Sequence, residues 1–225
     1  MQITLNLIRQ TLKEVFGFNS FIASFITDVY EDKNHLTAGI TKDGIVRYNP
    51  EFVSRYINCK EDLFSLIFHE LLHPMFGHFI YGCGPIENIA ADAIINAAIT
   101  TLYPNESQEG ALFKKTHNQH GLDGLLRPMS HMSNSRYKSV YNMLYQQYIT
   151  YDKQMTTGEL IQTLKILTPK ENLSGIILIG THNGHCKDNE FPVDILDKIA
   201  GEIKISIRKN ASKQAGYFQN IVSMI

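Results

Sequence analysis

Apolar residues recur at helical spacing along much of the chain, and this pattern predicts that helices dominate the fold. Near the N-terminus, Ile8, Leu12, Val15 and Phe16 fall on one face of a helix whose other positions include charged residues. The same reasoning predicts further helices where apolar positions continue without a helix-breaking residue. These segments are a helix that begins at Lys60, Ile86–Leu102, Tyr137–Tyr151 and Asp194–Lys209. After the strand break at Asn49-Pro50, we expect only a short helical turn over Pro50–Tyr56.

Two short runs between the first two predicted helices have the composition of strands. Leu36–Thr41 and Ile45–Asn49 are separated by Lys42, Asp43 and Gly44, which favour a turn. We therefore expect a β-hairpin at this place in the chain.

Two later segments differ from the helical regions. Gly175–Ile179 is a short apolar run that predicts a strand, whereas Asn105–Ser135 is rich in His, Asn, Gln, Ser and Gly and predicts a long irregular segment. No internal repeat and no linker divides the chain. We therefore expect a single α+β domain over residues 1–225, with a small sheet packed on helices and a polar insertion at about 105–135.

The composition argues against several classes of protein. The chain has 225 residues, 21 Lys and Arg against 22 Asp and Glu, and 44% hydrophobic residues, so it should fold and carries no surplus of positive charge. Nucleic-acid binding needs such a surplus and is therefore the weaker interpretation of the basic residues near the C-terminus. These residues are Lys204, Arg208, Lys209 and Lys213.

The chain also lacks the sequence features of exported, disulfide-linked or membrane proteins. Cys59, Cys83 and Cys186 are widely spaced, which indicates neither a disulfide framework nor a cysteine zinc site. The apolar runs fall far short of the roughly 18 residues that span a membrane, and no signal peptide is apparent. We therefore expect a soluble cytoplasmic protein.

A five-residue motif carries most of the chemical information. It reads His69-Glu70-Leu71-Leu72-His73 and lies in the helix that is predicted from Lys60. Residues four apart share one face of a helix, so His69 and His73 can each place a ring nitrogen on one metal ion. In such a site Zn²⁺ lowers the pKa of a metal-bound water, and Glu70 takes its proton. Two buried histidines beside a solvated Glu70 would be the non-functional alternative.

A catalytic zinc site needs a third protein ligand and an open fourth position. We favour Asp92, because an acid in the middle of an apolar, alanine-rich helix is costly to bury without a cation; an exposed Asp92 paired with Lys or Arg is the alternative. His78 is the other candidate, but on a continuous helix it lies about 140° from His73, so it could bind only if the helix breaks near Gly77. Asn96 either orients a ligating histidine or is an ordinary buried amide.

The other histidines carry weaker signals. His182 and His185 flank a predicted tight turn, where His182 is a candidate donor to the oxyanion of a tetrahedral intermediate and a polar surface turn is the favoured interpretation. His117, His120 and His131 could form a secondary metal site, but we expect them to lie on the surface.

Together these motifs resemble the zincin-type metallopeptidase domains of bacteria and phages, which often precede a von Willebrand factor A-like domain. The resemblance covers residues 36–100 well and residues 139–144 and 181–185 more loosely. Its motifs are Tyr48-Asn49-Pro50-Glu51-Phe52, His69-Glu70-Leu71-Leu72-His73 with Gly77-His78, and Asn88-Ile89-Ala90-Ala91-Asp92 with Asn96. Pro74, inside the predicted helix, departs from the pattern.

This resemblance implies a zincin-like α+β fold in which one helix carries His69, Glu70 and His73 and the next carries Asp92. It also implies a zinc-dependent peptidase that acts on proteins or peptides in the cytoplasm of a bacterium or of a phage-infected host. The chain departs from the family pattern because it stops at Ile225, where we expect no room for a following domain of this kind. The expected partners are a protein or peptide substrate and a separate partner protein. The alternative function is a zinc-stabilised binding or assembly module that cleaves nothing.

Overall fold

The computed structural model describes residues 2–16, 25–41, 43–76, 78–82, 84–102, 111–145, 155–169, 173, 175–179, 193–195, 197–199, 201–202 and 205. Within these residues the fold is α+β, as the sequence predicts. The helices are α1 (Leu5–Phe16), α2 (Pro50–Tyr56), α3 (Lys60–Met75), α4 (Pro85–Leu102), α5 (Ala111–Thr116), α6 (Lys138–Tyr145) and α7 (Thr157–Leu167). Short 3₁₀ helices cover His78–Tyr81 and Asp123–Leu126. The strands are β1 (Asp28–Glu31), β2 (Ala38–Ile40) and β3 (Ile45–Tyr48).

The sheet has three strands in the order β1-β3-β2. β2 and β3 form the predicted hairpin and pair antiparallel, with Ala38 opposite Tyr48. Its turn requires glycine, because Gly44 has φ +76° and a Cβ at this position would overlap the carbonyl oxygen of Phe25. The parallel pairing of β1 with β3, which sets Val29 opposite Val46, was not predicted.

α3 lies between the sheet and the other helices. It packs against α1, β2, α4 and α5, and every residue from Asp62 to His73 is buried. Ile8 and Leu12 of α1 are fully buried in the same apolar cluster, which agrees with the predicted amphipathic face of this helix. α3 continues to Met75, one residue past Pro74.

α4 is apolar on all sides because it lies between two clusters of buried residues. Ile95 and Ile99 belong to the cluster around α3. Ile89 and Ile94 belong to a second cluster, with residues from α6, α7 and the 3₁₀ helix Asp123–Leu126. The second cluster includes Leu122, Leu125, Leu126, Met132, Tyr137, Val140, Leu160, Ile161 and Leu164. The chain from Asn88 to Thr100 is buried without interruption.

Two predictions about later segments need correction. The segment 105–135 is not irregular throughout, because Ala111–Thr116 is helical and Leu112 and Phe113 are fully buried. Gly175–Ile179 is not a strand: its described residues have no strand partner, and side chains satisfy part of its backbone. The helix predicted over Tyr137–Tyr151 is present as Lys138–Tyr145, and residues 146–151 lie outside the described part.

The predicted C-terminal helix is described only in part. Residues 193–195, 197–199 and 201–202 are helical, and the remaining residues up to 209 are described only at residue 205. In the described part of the chain, no helix has the length and apolar character needed to cross a membrane.

Candidate metal centre

Two adjacent helices supply the residues of the candidate site. α3 carries His69 and His73 one turn apart, with Glu70 next to His69, and α4 carries Asp92 and Asn96 one turn apart. Small residues on α4, among them alanines at positions 90, 91 and 93, allow the two helices to pack closely. Glu70 is 6% exposed and the other four residues are at most 2% exposed, so the site lies inside the protein.

Three ligand atoms of this site converge on one point. His69 Nε2 lies 3.0 Å from His73 Nε2, and Asp92 Oδ1 lies 3.6 Å from each of these nitrogens. These three residues are the one group of potential metal ligands found among the described residues. The exposed, ion-paired alternative for Asp92 is wrong, since its side chain is fully buried.

The spacing of these atoms fits a small divalent cation. A triangle with these sides has a point about 2.0 Å from each corner, which is the usual length of zinc bonds to imidazole nitrogen and carboxylate oxygen. Two imidazoles and one carboxylate are also a common ligand set for catalytic zinc. The structure therefore brings together the three residues that the sequence nominates as ligands, while their occupation by a metal stays a prediction.

Asn96 determines which nitrogen of His69 faces this point. Its Nδ2 donates to the carbonyl oxygen of Leu126 at 2.9 Å, so its Oδ1 is the atom that lies 2.9 Å from His69 Nδ1. A carbonyl oxygen only accepts, so His69 Nδ1 must donate, and a neutral His69 then has its lone pair at Nε2. This is the nitrogen of His69 that faces His73 and Asp92.

His78 occupies a different place from the one that the third-ligand alternative requires. α3 ends at Met75, and His78 begins a 3₁₀ helix that carries its buried ring to the far side of His73. His78 Nδ1 lies 3.2 Å from His73 Nδ1, and His78 Nε2 lies 3.1 Å from Thr157 Oγ1. Both ring nitrogens of His78 therefore point to groups other than the three converging atoms, and the ligand cluster does not include it.

Asp92 is held by a part of the chain that the sequence did not connect with the site. The backbone N–H of Ile179 donates to Asp92 Oδ2 at 3.0 Å, which leaves Oδ1 directed at the two histidines. The preceding residue is fixed in turn, because Thr37 Oγ1 donates to the carbonyl oxygen of Leu178 at 3.1 Å. Backbone contacts of this kind leave no signal in the sequence.

Glu70 is a buried acid, and one of its carboxyl oxygens has no hydrogen-bond partner in the described part of the protein. Its Oε1 is inaccessible to solvent and accepts no hydrogen bond from any described residue. Burial, opposed by His69 and assisted by Asp92, raises the pKa of the Glu70 carboxyl to about 8. Since both His69 and Asp92 influence this pKa, the carboxyl lies within electrostatic reach of the converging atoms.

For several predicted residues the structure gives no information. His182 and His185, and the basic residues Lys204, Arg208, Lys209 and Lys213, are outside the described residues.

The histidines of the polar segment are only partly as expected. His120 and His131 are exposed, as expected, and their rings stack. His117 is not a surface residue: its ring is buried and its Nδ1 lies 3.0 Å from Asp123 Oδ1. Among described residues these three histidines form no metal-ligand cluster.

The geometry around His69, His73 and Asp92 is therefore the main basis for a functional assignment. No protein-family model, curated protein or solved structure matches the chain.

Proposed function

We propose that this protein is a zinc-dependent metallopeptidase with a zincin-like fold, in which His69, His73 and Asp92 hold the metal and Glu70 is the general base. The observation that carries the proposal is the buried Glu70 carboxyl, whose Oε1 has no hydrogen-bond partner among the described residues beside three converging ligand atoms. A zinc ion that only stabilises a fold has no use for such a carboxylate, and it is normally enclosed by four protein ligands.

The described residues support the chemistry of hydrolysis. Zinc at this position would act as a Lewis acid that polarises a substrate carbonyl and lowers the pKa of a coordinated water toward about 7. The positive charge of a bound zinc ion would favour the ionised form of Glu70, which would accept a proton from the attacking water and later deliver it to the leaving nitrogen, so that the carboxyl is unchanged after each turnover. Asn96 and Asp92 keep the geometry fixed, since the first holds the ring of His69 and the second is anchored by Ile179.

We choose a peptide bond as the substrate because the motifs resemble those of zincin-type metallopeptidase domains. The small sheet beside α3, with the metal-binding motif in the second half of this helix, is compatible with the zincin arrangement that the resemblance implies. Other acyl bonds would be attacked by the same groups, so the assay should include an ester or amide model substrate in addition to peptides.

The test is the substitution Glu70→Gln in the full chain, with zinc content and hydrolysis measured together. We expect zinc binding at the native stoichiometry and a loss of hydrolysis of quenched fluorescent peptides by roughly 10²–10⁴-fold. Glu61→Gln is the matched control, because it removes the same charge from the same helix about 13 Å away and should keep full activity.

Two results would contradict this mechanism. The first is native peptide cleavage by Glu70→Gln, which would exclude Glu70 as the base. The second is a native chain that binds one zinc ion and cleaves none of the peptide, ester or amide substrates, which would favour the zinc-stabilised binding module.

A further inference from the structure

A surface cavity lies where the end of the polar segment meets the start of α6. Its volume is about 460 Å³, which is in the range of pockets that hold small molecules. The lining residues that carry polar or aromatic groups include His120, His131, Ser133, Asn134, Arg136 and Tyr137. The cavity shares no lining residue with the candidate metal centre, so it requires a separate explanation.

The chemistry of the walls favours an anionic ligand. Arg136 supplies a permanent positive charge, and none of the described residues that line the cavity is an Asp or a Glu. The hydroxyl of Ser133 and the amide of Asn134 add uncharged hydrogen-bond donors. A pocket with a guanidinium group and no carboxylate attracts negative charge and disfavours a metal ion or an organic cation.

Two imidazole rings form another part of the wall. The rings of His120 and His131 are exposed and stack with their centroids 5.8 Å apart and their planes 28° from parallel. In the described part of the chain, His120 Nε2 and both ring nitrogens of His131 have no hydrogen-bond partner. These three nitrogens are therefore available to a ligand in the cavity.

The donors of the cavity are held in place by the surrounding structure. The backbone N–H of His131 donates to the carbonyl oxygen of Gln119 at 2.9 Å, and His120 Nδ1 donates to the carbonyl oxygen of His131 at 3.3 Å. The guanidinium of Arg136 lies 5.2 Å from the ring centre of Tyr137, which is buried. Donors that are positioned in advance lower the entropic cost of binding a ligand.

We propose that this cavity binds a phosphorylated small molecule, whose phosphate group is held by Arg136 and the imidazoles of His120 and His131. A guanidinium group matches the geometry of phosphate oxygens and binds two of them at once. The terminal oxygens of a phosphate point in different directions, so they can accept from donors on more than one wall. A phosphate ion fills only part of a cavity of this volume, which leaves room for the rest of the molecule.

Isothermal titration calorimetry of the zinc-free full chain tests the ligand class. The probes are two phosphate monoesters, glucose 6-phosphate and AMP, with inorganic phosphate and glucose as comparisons. We expect at least one monoester to bind more tightly than inorganic phosphate by about threefold or more, and glucose not to bind. The proposal is wrong if neither monoester binds at millimolar concentration, if neither exceeds inorganic phosphate, or if glucose binds as well as its phosphate.

Two arginine variants test the role of Arg136. Arg136→Ala should weaken binding of the monoester by roughly 10–100-fold, because it removes the charge-assisted hydrogen bonds to the phosphate. Arg55→Ala is the matched control: Arg55 is also exposed and lies 5.2 Å from the ring centre of Tyr56, but it does not line the cavity. Equal weakening in both variants would indicate non-specific attraction between charges and would overturn the assignment.

NMR of the histidine rings locates the bound anion. During titration with the monoester we expect the ring resonances of His120 and His131 to shift, and those of His117, whose buried ring contacts Asp123, to stay unchanged. His131→Phe keeps an aromatic ring and removes both ring nitrogens, so it should weaken binding by roughly 2–10-fold. Unshifted resonances of His120 and His131 in a chain that binds the monoester would overturn the proposed location.

Asp92→Ala separates this cavity from the metal centre. The variant should bind the monoester with native affinity, because Asp92 does not line the cavity. Loss of monoester binding would place the anion at the metal centre and overturn this inference alone. If the native chain binds the monoester through Arg136 but cleaves no peptide, ester or amide, the proposed function fails and this inference stands.

Discussion

Asn96 shows how a single residue can determine the chemistry of a neighbour. Its amide has one orientation because the carbonyl of Leu126 accepts from Nδ2, and this orientation fixes the tautomer of His69. The sequence could place Asn96 one turn after Asp92, but it could not supply the carbonyl group that distinguishes an orienting residue from an ordinary buried amide.

Asn96→Leu should therefore affect the site and the fold together. His69 loses its acceptor and the carbonyl of Leu126 loses its donor, so we expect zinc affinity to fall by roughly 10–100-fold. We expect the free energy of unfolding of the zinc-free chain to fall by about 1–3 kcal/mol. Chelator competition and urea denaturation measure these two effects.

Thr100→Val is the matched control for this substitution. Thr100 lies one turn beyond Asn96 on α4, and its buried Oγ1 has no hydrogen-bond partner among the described residues. Its removal should leave zinc affinity native and the fold at least as stable. Native zinc affinity in Asn96→Leu would show that the contact with His69 does not support metal binding.

His78 illustrates what spacing along a sequence cannot determine. On a continuous helix its direction is set by its distance from His73, but the helix ends at Met75 and a 3₁₀ helix begins at His78. The ring of His78 then contacts Nδ1 of His73, whereas Nε2 of His73 is the atom that faces His69 and Asp92. A helix boundary within three residues therefore places His78 beside the candidate ligand His73 and outside the group of converging atoms.

At the scale of secondary structure, elements with their own local signals were predictable from the sequence. α2 begins where Asn49 accepts from the backbone N–H of Glu51 and Pro50 occupies the first helical position. α3 and α4 have long apolar patterns without an internal glycine. β1 had no such signal, because Val29 and Tyr30 lie between acidic residues and the strand forms by pairing with β3.

The segment Gly175–Ile179 was predicted to be a strand, but it is not one. Its apolar run has the composition of a buried strand, yet the described backbone groups bond to side chains of Thr37 and Asp92. A composition typical of strands indicates a buried extended segment, while the identity of its hydrogen-bond partners depends on the rest of the fold.

The β2–β3 turn permits a test at this scale with a matched pair of glycines. Gly44→Ala introduces a Cβ that overlaps the carbonyl of Phe25 at φ +76°, whereas Gly121→Ala, at φ +64°, places a Cβ in open space. Gly121→Ala should lower the free energy of unfolding by about 1–2 kcal/mol, because the left-handed backbone conformation alone disfavours alanine. Gly44→Ala should lower the free energy of unfolding by clearly more, because the backbone must also shift away from Phe25.

Urea denaturation of both variants measures the difference. An equal decrease in the free energy of unfolding in both variants would mean that the hairpin turn moves away from Phe25 without further loss of stability. Such a result would contradict the close packing of this turn.

At the scale of the whole molecule, the two helices of the candidate centre belong to two apolar clusters. α3 belongs to one cluster, while α4 contributes Ile95 and Ile99 to that cluster and Ile89 and Ile94 to the other. The burial of Leu122, Leu125 and Leu126 in the second cluster was not predicted, since these residues lie in a segment whose average composition is polar. The sequence therefore indicated the residues of the site better than the packing that surrounds them.

Because the three ligand atoms come from two helices at the centre of the fold, zinc should stabilise the whole domain. At a zinc concentration 100 times the dissociation constant, linkage contributes about 2.7 kcal/mol to the free energy of unfolding. For a chain of this size that corresponds to an increase in Tm of roughly 5–10 °C. Differential scanning calorimetry with zinc and with a chelator measures it.

Two aspartate variants identify the origin of this stabilisation. Asp92→Ala should abolish the zinc-dependent increase in Tm, because it removes the ligand from α4. Asp123→Asn removes a half-buried carboxylate that contacts His117 outside the centre, so it should lower Tm with and without zinc and keep the increase. A zinc-dependent increase that persists in Asp92→Ala and disappears in Asp123→Asn would locate the metal near His117, away from the interface of α3 and α4.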